Sequence, residues 1–171
     1  CDGQLFQQPH DAGIVADRVR DAIGNVPLII KVGHVATHNA ATQLIDALSS
    51  ATALAMTNSI ATTVIQSDGG TRFDGQVRGI CGSAILDAST TQVAMFHNLL
   101  SARGSQLQLI GVGGADSATS VRGYLSAGAH AVHLATAAML NPGVALEIKH
   151  AWEREPRMDV NKPESRNANQ G

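Results

Sequence analysis

Two strand ends late in the chain carry the residue types of a phosphate-binding site. The apolar run 107–111 is followed by Gly113 and Gly114, where the backbone can approach a ligand closely. The next apolar run ends in Ala135 and Thr136. In parallel barrels, the loops after two successive strands commonly bind a phosphate group. The sequence therefore predicts that these four residues form a phosphate site.

A lysine interrupts the most apolar strand. Lys31 lies in the run 28–32, near the C-terminal end of the strand, where barrels bind their ligands. A cation at this point could stabilise the negative charge that a flavin gains along its N1 and O2 edge on reduction. The alternative is a lysine that only extends from a strand end to solvent.

Two further segments have residue types that suit a planar ligand. Asn58 and Ser59 follow the second apolar run, and an amide can both donate to and accept from a heterocycle. The alternative is an ordinary turn, in which Asn and Ser are common. Gly82 lies in a segment whose glycines allow close backbone contact with a ring or a phosphate. Beside it, Cys81 is expected to be a small buried side chain rather than a redox group.

The histidines do not form a metal-ligand pattern. His34 and His38 have the spacing of a helical metal pair, but Gly33 places His34 at a turn and no third ligand is near in sequence. We therefore expect no metal. His133 alternates with apolar neighbours along a strand, which favours a position in the core.

The elements that must position these residues alternate between strand and helix. Each of four apolar runs is followed by a segment with helical spacing of apolar residues. The runs are 27–32, 53–57, 107–111 and 131–135. Such alternation predicts a parallel sheet with right-handed crossovers. Four units make half of a (β/α)8 barrel of the TIM type, and a leading helix without a strand before it indicates the second half.

An open doubly wound sheet is the alternative fold. Its GxGxxG fingerprint should follow the first strand, and it is absent there. Residues 59–82 read as a long irregular loop, and such loops are usually functional. We assign residues 1–157 to the half barrel and residues 158–171, which are polar and aperiodic, to a disordered tail.

Composition excludes several classes of function. Of 171 residues, 44% are hydrophobic and 15% charged, as in ordinary globular domains. A net charge of −2 and 3% aromatic residues argue against nucleic-acid binding. No apolar stretch approaches the roughly 20 residues that span a bilayer. Two cysteines without a CxxC pair fit a reducing cytoplasm, and the alternative is a disulfide between them.

Taken together, the order and spacing of these motifs resemble the second half of the dihydroorotate dehydrogenase family. The flavin domain of dihydropyrimidine dehydrogenase is similar. The motifs are Lys31 on its strand, Thr57-Asn58-Ser59-Ile60, the segment 78–85, Ile110-Gly111-Val112-Gly113-Gly114 and Ala135-Thr136-Ala137. The resemblance implies an FMN-binding barrel that acts on the 5,6 bond of a pyrimidine such as dihydroorotate.

The resemblance also implies roles for individual residues. Lys31 and Asn58 would contact the flavin, and Asn58 with Ser59 would face the pyrimidine. The ribityl phosphate would be held by Gly82, Gly113, Gly114, Ala135 and Thr136. Cys1 would fall at the loop cysteine that moves a proton at one ring carbon while a hydride moves between the other carbon and flavin N5.

Three departures from the family pattern bear on these roles. Asp2 follows Cys1 where the family usually has proline. Ala135 stands where glycine is common. The family's first strands are not in this sequence, so we expect the half barrel to need the N-terminal half or an oligomer partner.

Two other functions remain open at this point. One is a non-catalytic half barrel that binds phosphate or a partner chain, with its sheet edges covered. The other is a phosphate-binding barrel of different chemistry, such as an isomerase. Stoichiometric FMN in the protein separates the flavoprotein from both.

Overall fold

The computed structural model describes residues 5–57 and 59–154, and in these residues the chain is α/β. The strands are β1 (Ile29–Lys31), β2 (Ala53–Met56), β3 (Ile60–Thr63), β4 (Val77–Ile80), β5 (Gln108–Val112) and β6 (Ala131–His133). Four of them form a parallel sheet in the order β1-β2-β5-β6. This order follows the chain without a reversal, as in a barrel, whereas a doubly wound sheet reverses at a switch point.

Helices follow the strands as the apolar periodicity predicts. They are α1 (Pro9–Ile23), α2 (His38–Ala47), α3 (Leu86–Ala102), α4 (Ala118–Ser126), α5 (Thr136–Leu140) and α6 (Val144–Arg154). Gly24 ends α1 with a positive φ of 60°. Thr37 begins α2 by accepting a hydrogen bond from the Ala40 N–H. No helix in the described part of the chain is long and apolar enough to cross a membrane.

The main core lies between one face of the sheet and the helices. Leu54 pairs with Leu109 in the register of β2 and β5, and both side chains are fully buried. They pack in one cluster with Leu44 of α2, Phe96 of α3 and Tyr124 of α4. Burying side chains of this size is the main source of stability, at about 1.5–3 kcal/mol each.

The opposite face of the sheet forms a second, smaller apolar cluster. It consists of Ala53, Ala55, Ile110 and Val112. Lys31 pairs with Ala55, and His133 pairs with Val112, so both share this face. We call it the inner face because in a closed barrel it would line the interior.

Both edges of the four-stranded sheet are open in the described residues. Edge strand β1 leaves Ile29 51% exposed. Beyond the other edge strand, β6, the side chains of Met139 and Leu140 are 85% and 83% exposed. Native proteins normally cover such edges and apolar side chains.

The prediction of an irregular segment at 59–82 is partly wrong. Here β3 and β4 pair as an antiparallel hairpin, separate from the main sheet. Between the two strands, Phe73 lies 5.8 Å from the Arg78 guanidinium, measured to the ring centroid. The hairpin begins beyond the C-terminal end of β2, on the side of the sheet where barrels bind ligands.

Three strands are shorter than their apolar runs. The predicted strands 27–32, 53–57 and 131–135 become Ile29–Lys31, Ala53–Met56 and Ala131–His133. Cys1 and residues 158–171 lie outside the described residues, so the predicted base and the predicted tail stay predictions.

Candidate functional site

Loops from the C-terminal ends of the strands surround one cavity of about 420 Å³. This volume falls in the range of small-molecule sites, about 300–1,000 Å³. The floor includes Lys31, Val112 and His133 of the inner face. The rim comes from the segments that follow β4, β5 and β6.

The structure brings six of the sequence-predicted site residues to this cavity. They are Lys31, Gly82, Gly113, Gly114, Ala135 and Thr136. Ser59 is instead placed at the base of the hairpin, where its hydroxyl lies against Gly79. Asn58 and Cys1 lie outside the described residues. The ligand role of each of these residues remains a prediction.

The glycine pair after β5 is required by the close packing of the loops. Gly113 and Gly114 have φ values of +124° and +74°, which side chains other than glycine rarely adopt. A Cβ on Gly113 would lie 2.7 Å from Ser89 Oγ. A Cβ on Gly114 would lie 2.8 Å from the Gly82 carbonyl oxygen. The loops after β4 and β5 therefore meet without side chains between them.

The same loop offers backbone donors to a ligand. The N–H groups of Asp116 and Ser117 both donate to Ser120 Oγ, each at 3.0 Å. By contrast, the N–H groups of Gly114 and Ala115 find no acceptor in the part of the chain that the structure describes. Two adjacent free N–H groups beside a cavity suit an anion such as phosphate.

Ser120 organises the end of this loop as part of a capping box. The Ser117 side chain accepts a hydrogen bond from the Ser120 N–H at the start of α4. In return, the Ser120 hydroxyl oxygen accepts a hydrogen bond from the Ser117 N–H. Ser120 is 8% exposed. This arrangement satisfies donors of the first helical turn and fixes where the loop ends.

A buried amide holds the loop that follows Lys31. Gln92 of α3 donates from Nε2 to the Gly33 carbonyl at 2.9 Å and accepts at Oε1 from the Val35 N–H at 2.8 Å. Its side chain is 2% exposed. The two bonds tie the chain beyond Lys31 to α3, so the lysine projects from a fixed strand end.

Charges of both signs border the cavity. Lys31 and His133 are exposed on the inner face, and Asp116 lies on the rim. The Asp116 carboxylate accepts a hydrogen bond from Ser120 at 3.3 Å. The lysine is therefore the group able to offset charge on an anionic ligand at the floor of the cavity.

Two expectations about buried side chains are wrong. His133 is exposed and lines the cavity, because β6 is an edge strand and its inner face has no covering element in the described residues. Cys81 is also exposed, because it lies in extended backbone on the rim, just before Gly82. The alternation that placed His133 on one face of a strand was correct, but sequence alone did not tell which face is covered.

Sequence reasoning missed Gln92 and Ser120. Both lie within helices, and their polar side chains read as ordinary helix residues. The one available signal was the serine pair at 117 and 120, which has the spacing of a capping box but lacks its usual Glu or Gln.

The parallel sheet and the cavity at the C-terminal ends of its strands define the chain as a partial (β/α)8 barrel with a ligand site. Within that class, the family model described as dihydroorotate dehydrogenase matches residues 3–155. The chain belongs to the dihydroorotate dehydrogenase family.

Individual relatives agree with this assignment. The chain is 29% identical over 153 residues to the catalytic subunit of dihydroorotate dehydrogenase B (NAD(+)) from Solidesulfovibrio magneticus, covering 89% of this chain and 47% of that protein. It thus spans about half the length of this curated relative.

Solved structures show the same fold. The chain resembles ligand-free dihydroorotate dehydrogenase from Eimeria tenella with a TM-score of 0.69 and 18% identity, covering 85% of this chain and 45% of the other. The same organism's enzyme in complex with ferulenol gives a TM-score of 0.59 and 21% identity, with 72% and 32% covered. Together with the parallel sheet, these matches confirm the predicted α/β class and a partial TIM-type barrel.

Proposed function

We propose that this half barrel binds FMN and belongs to an oxidoreductase that acts on the 5,6 bond of a pyrimidine such as dihydroorotate. The observation that supports it is the convergence of six predicted residues from four segments of the chain on one cavity. Their types match two parts of the cofactor, a phosphate and a ring that gains negative charge.

The described residues fit FMN at both of these parts. The free N–H groups of Gly114 and Ala115 suit the phosphate. A Cβ on Gly82 would lie only 3.4 Å from Thr136, so the loops after β4 and β6 are in contact. The surroundings of the phosphate would be completed by Gly82, Ala135 and Thr136. Lys31 lies on the inner face, where it would meet the flavin ring.

Bound FMN would supply a ring nitrogen, N5, that exchanges a hydride with the substrate. The other tasks fall to side chains of this chain. Lys31 stabilises negative charge on the ring, and Asn58 orients the pyrimidine. In the oxidative direction, Cys1 accepts a proton from one carbon of the 5,6 bond while the hydride leaves the other, and a double bond forms between the carbons.

The partner that we propose is the other half of the barrel. The exposed edges of β1 and β6 would pair with its strands, and the apolar side chains near them would be covered. The relative from Solidesulfovibrio magneticus is named as a catalytic subunit, which is consistent with a protein that works in an assembly.

The test is the flavin content of the closed barrel, formed by this chain with its other half and added FMN, and its reaction with dihydroorotate. We expect one FMN per barrel, measured from the visible flavin spectrum after release, and bleaching of that spectrum on anaerobic addition of dihydroorotate. A colourless protein that takes up no FMN would favour the non-catalytic alternative. Bound FMN without bleaching would support FMN as the cofactor and reject dihydroorotate as the substrate.

The Lys31→Ala variant should bind FMN more weakly and shift its potential. A lost charged hydrogen bond is worth about 1.5–3 kcal/mol, which corresponds to about tenfold or more in affinity and about 30–60 mV for two electrons. The midpoint potential should fall, because the cation favours the more negatively charged form. Fluorescence titration with FMN measures the affinity, and spectroelectrochemical titration measures the potential.

The matched control is Lys149→Ala, which removes another lysine charge far along the chain. Lys149 is exposed on α6, where it lies 3.8 Å from Glu153. We expect this variant to keep wild-type affinity and potential. An unchanged potential and affinity in Lys31→Ala itself would remove Lys31 from the flavin site.

A further inference from the structure

A tyrosine lies buried directly beneath the glycine loop. The side chain of Tyr124, on α4, is fully buried, and its hydroxyl donates a hydrogen bond of 2.5 Å to the Gly113 carbonyl. Its ring fills the space beside Gly111, where a Cβ would lie 2.3 Å from the ring. This contact joins the helix core to the loop that borders the cavity.

The hydrogen bond fixes the orientation of one peptide group. The Gly113–Gly114 peptide is trans, so its carbonyl and its N–H point in opposite directions. Because the carbonyl is directed to Tyr124, the N–H of Gly114 is directed away from the helix core. Gly114 lines the cavity, and its N–H has no acceptor among the residues that the structure describes.

Because residues 113 and 114 are both glycine, the orientation of the peptide between them depends on a hydrogen bond from a neighbouring group. Residues without a Cβ can rotate between several backbone conformations at little cost. The peptide between Gly113 and Gly114 is therefore free to turn unless a neighbour holds it. Among the described residues, the Tyr124 hydroxyl is the side-chain donor to this carbonyl.

The hydroxyl keeps its proton across the physiological range. Burial raises the pKa of Tyr124, and the neighbouring Ser89 and Thr90 side chains lower it by less. Tyr124 is thus a neutral donor.

We propose that Tyr124 is a positioning residue of the cofactor site, which turns the Gly114 N–H toward the phosphate of FMN. The inference rests on the proposed function, because it assigns a ligand to that N–H. Tyr124 itself touches no ligand and acts through the peptide that it holds.

The test compares two flavins in the holoprotein and in its Tyr124→Phe variant. FMN carries the phosphate, and riboflavin is the same molecule without it. We expect the variant to bind FMN about tenfold more weakly and riboflavin with unchanged affinity, because one charged hydrogen bond to the phosphate is weakened. Fluorescence titration of each flavin gives both dissociation constants.

The matched control is Val93→Ala. It shortens a side chain of α3 that is equally buried in the same core cluster as Tyr124 and carries no hydroxyl. We expect the ratio of FMN to riboflavin affinity to stay at the wild-type value. A general loosening of the core would change both flavins equally and would not move this ratio.

Each outcome decides a different statement. If Tyr124→Phe lowers both affinities alike, or neither, Tyr124 is no positioning residue for the phosphate. If the wild-type protein binds neither flavin, the proposed function fails and this assignment with it. Should the variant not fold, the Gly114 amide proton of the wild-type protein decides by NMR: a larger downfield shift with FMN than with riboflavin supports the proposal, and equal shifts overturn it.

Discussion

The Gly114→Ala variant is expected to bind FMN on the order of 100-fold more weakly than the wild-type protein. Its Cβ would lie 2.8 Å from the Gly82 carbonyl oxygen and 2.9 Å from Leu86 Cβ. The φ of +74° adds strain of about 1–2 kcal/mol for a residue with a Cβ. The loop must therefore move, and the N–H groups of Gly114 and Ala115 move with it.

The size of the effect follows from the number of donors displaced. Each hydrogen bond to a charged phosphate is worth about 1.5–3 kcal/mol, and two of them together correspond to on the order of 100-fold or more in affinity. Equilibrium titration with FMN measures the loss. Wild-type affinity in Gly114→Ala would show that this loop does not hold the phosphate.

The chain offers a matched glycine for comparison. Gly123 lies within α4, its added Cβ would meet no atom within 4 Å, and its φ is not positive. Gly123→Ala should keep FMN affinity and raise the free energy of unfolding by about 0.5–1 kcal/mol, as in other helix interiors. The pair separates the effect of adding a methyl group from the effect of disturbing the site.

The part of the fold that local sequence dictates was predictable. Runs with apolar residues on both faces, such as 53–57, predicted the central strands. The loop glycines stood out because two adjacent glycines follow directly on a strand end. These signals need only neighbours in sequence.

The parts that failed depend on contacts distant in sequence. The hairpin strands β3 and β4 are short, and most of their residues are exposed, so they lack an apolar run. His133 was assigned to the core because alternation gives the face of a strand but not what covers it. Gln92 joins residues more than fifty positions away, and no local pattern marks such a bond.

The second large effect concerns the open sheet. We expect this chain alone to self-associate and to bind FMN only weakly. A polypeptide that carries the preceding four strand–helix units of a family barrel should form a one-to-one complex with it that binds one FMN per barrel. The reason is that β1 and β6 each have an unpaired edge in the described residues, with exposed apolar side chains near both. Light scattering with simultaneous flavin absorbance measures mass and cofactor together.

A charge at the open edge should prevent this complex without unfolding the chain. Leu140 is 83% exposed and lines the cavity beside β6, so Leu140→Glu disturbs little in the half barrel itself. In the closed barrel it would leave a buried, unpaired charge, which costs about 3 kcal/mol or more, or roughly 100-fold in affinity for the other half. Val77→Glu is the control, since Val77 is 59% exposed in the hairpin, which pairs with neither edge of the main sheet. If both variants associate equally well, or if the wild-type chain stays monomeric and ignores the other half, the open edges are not the surface that closes the barrel.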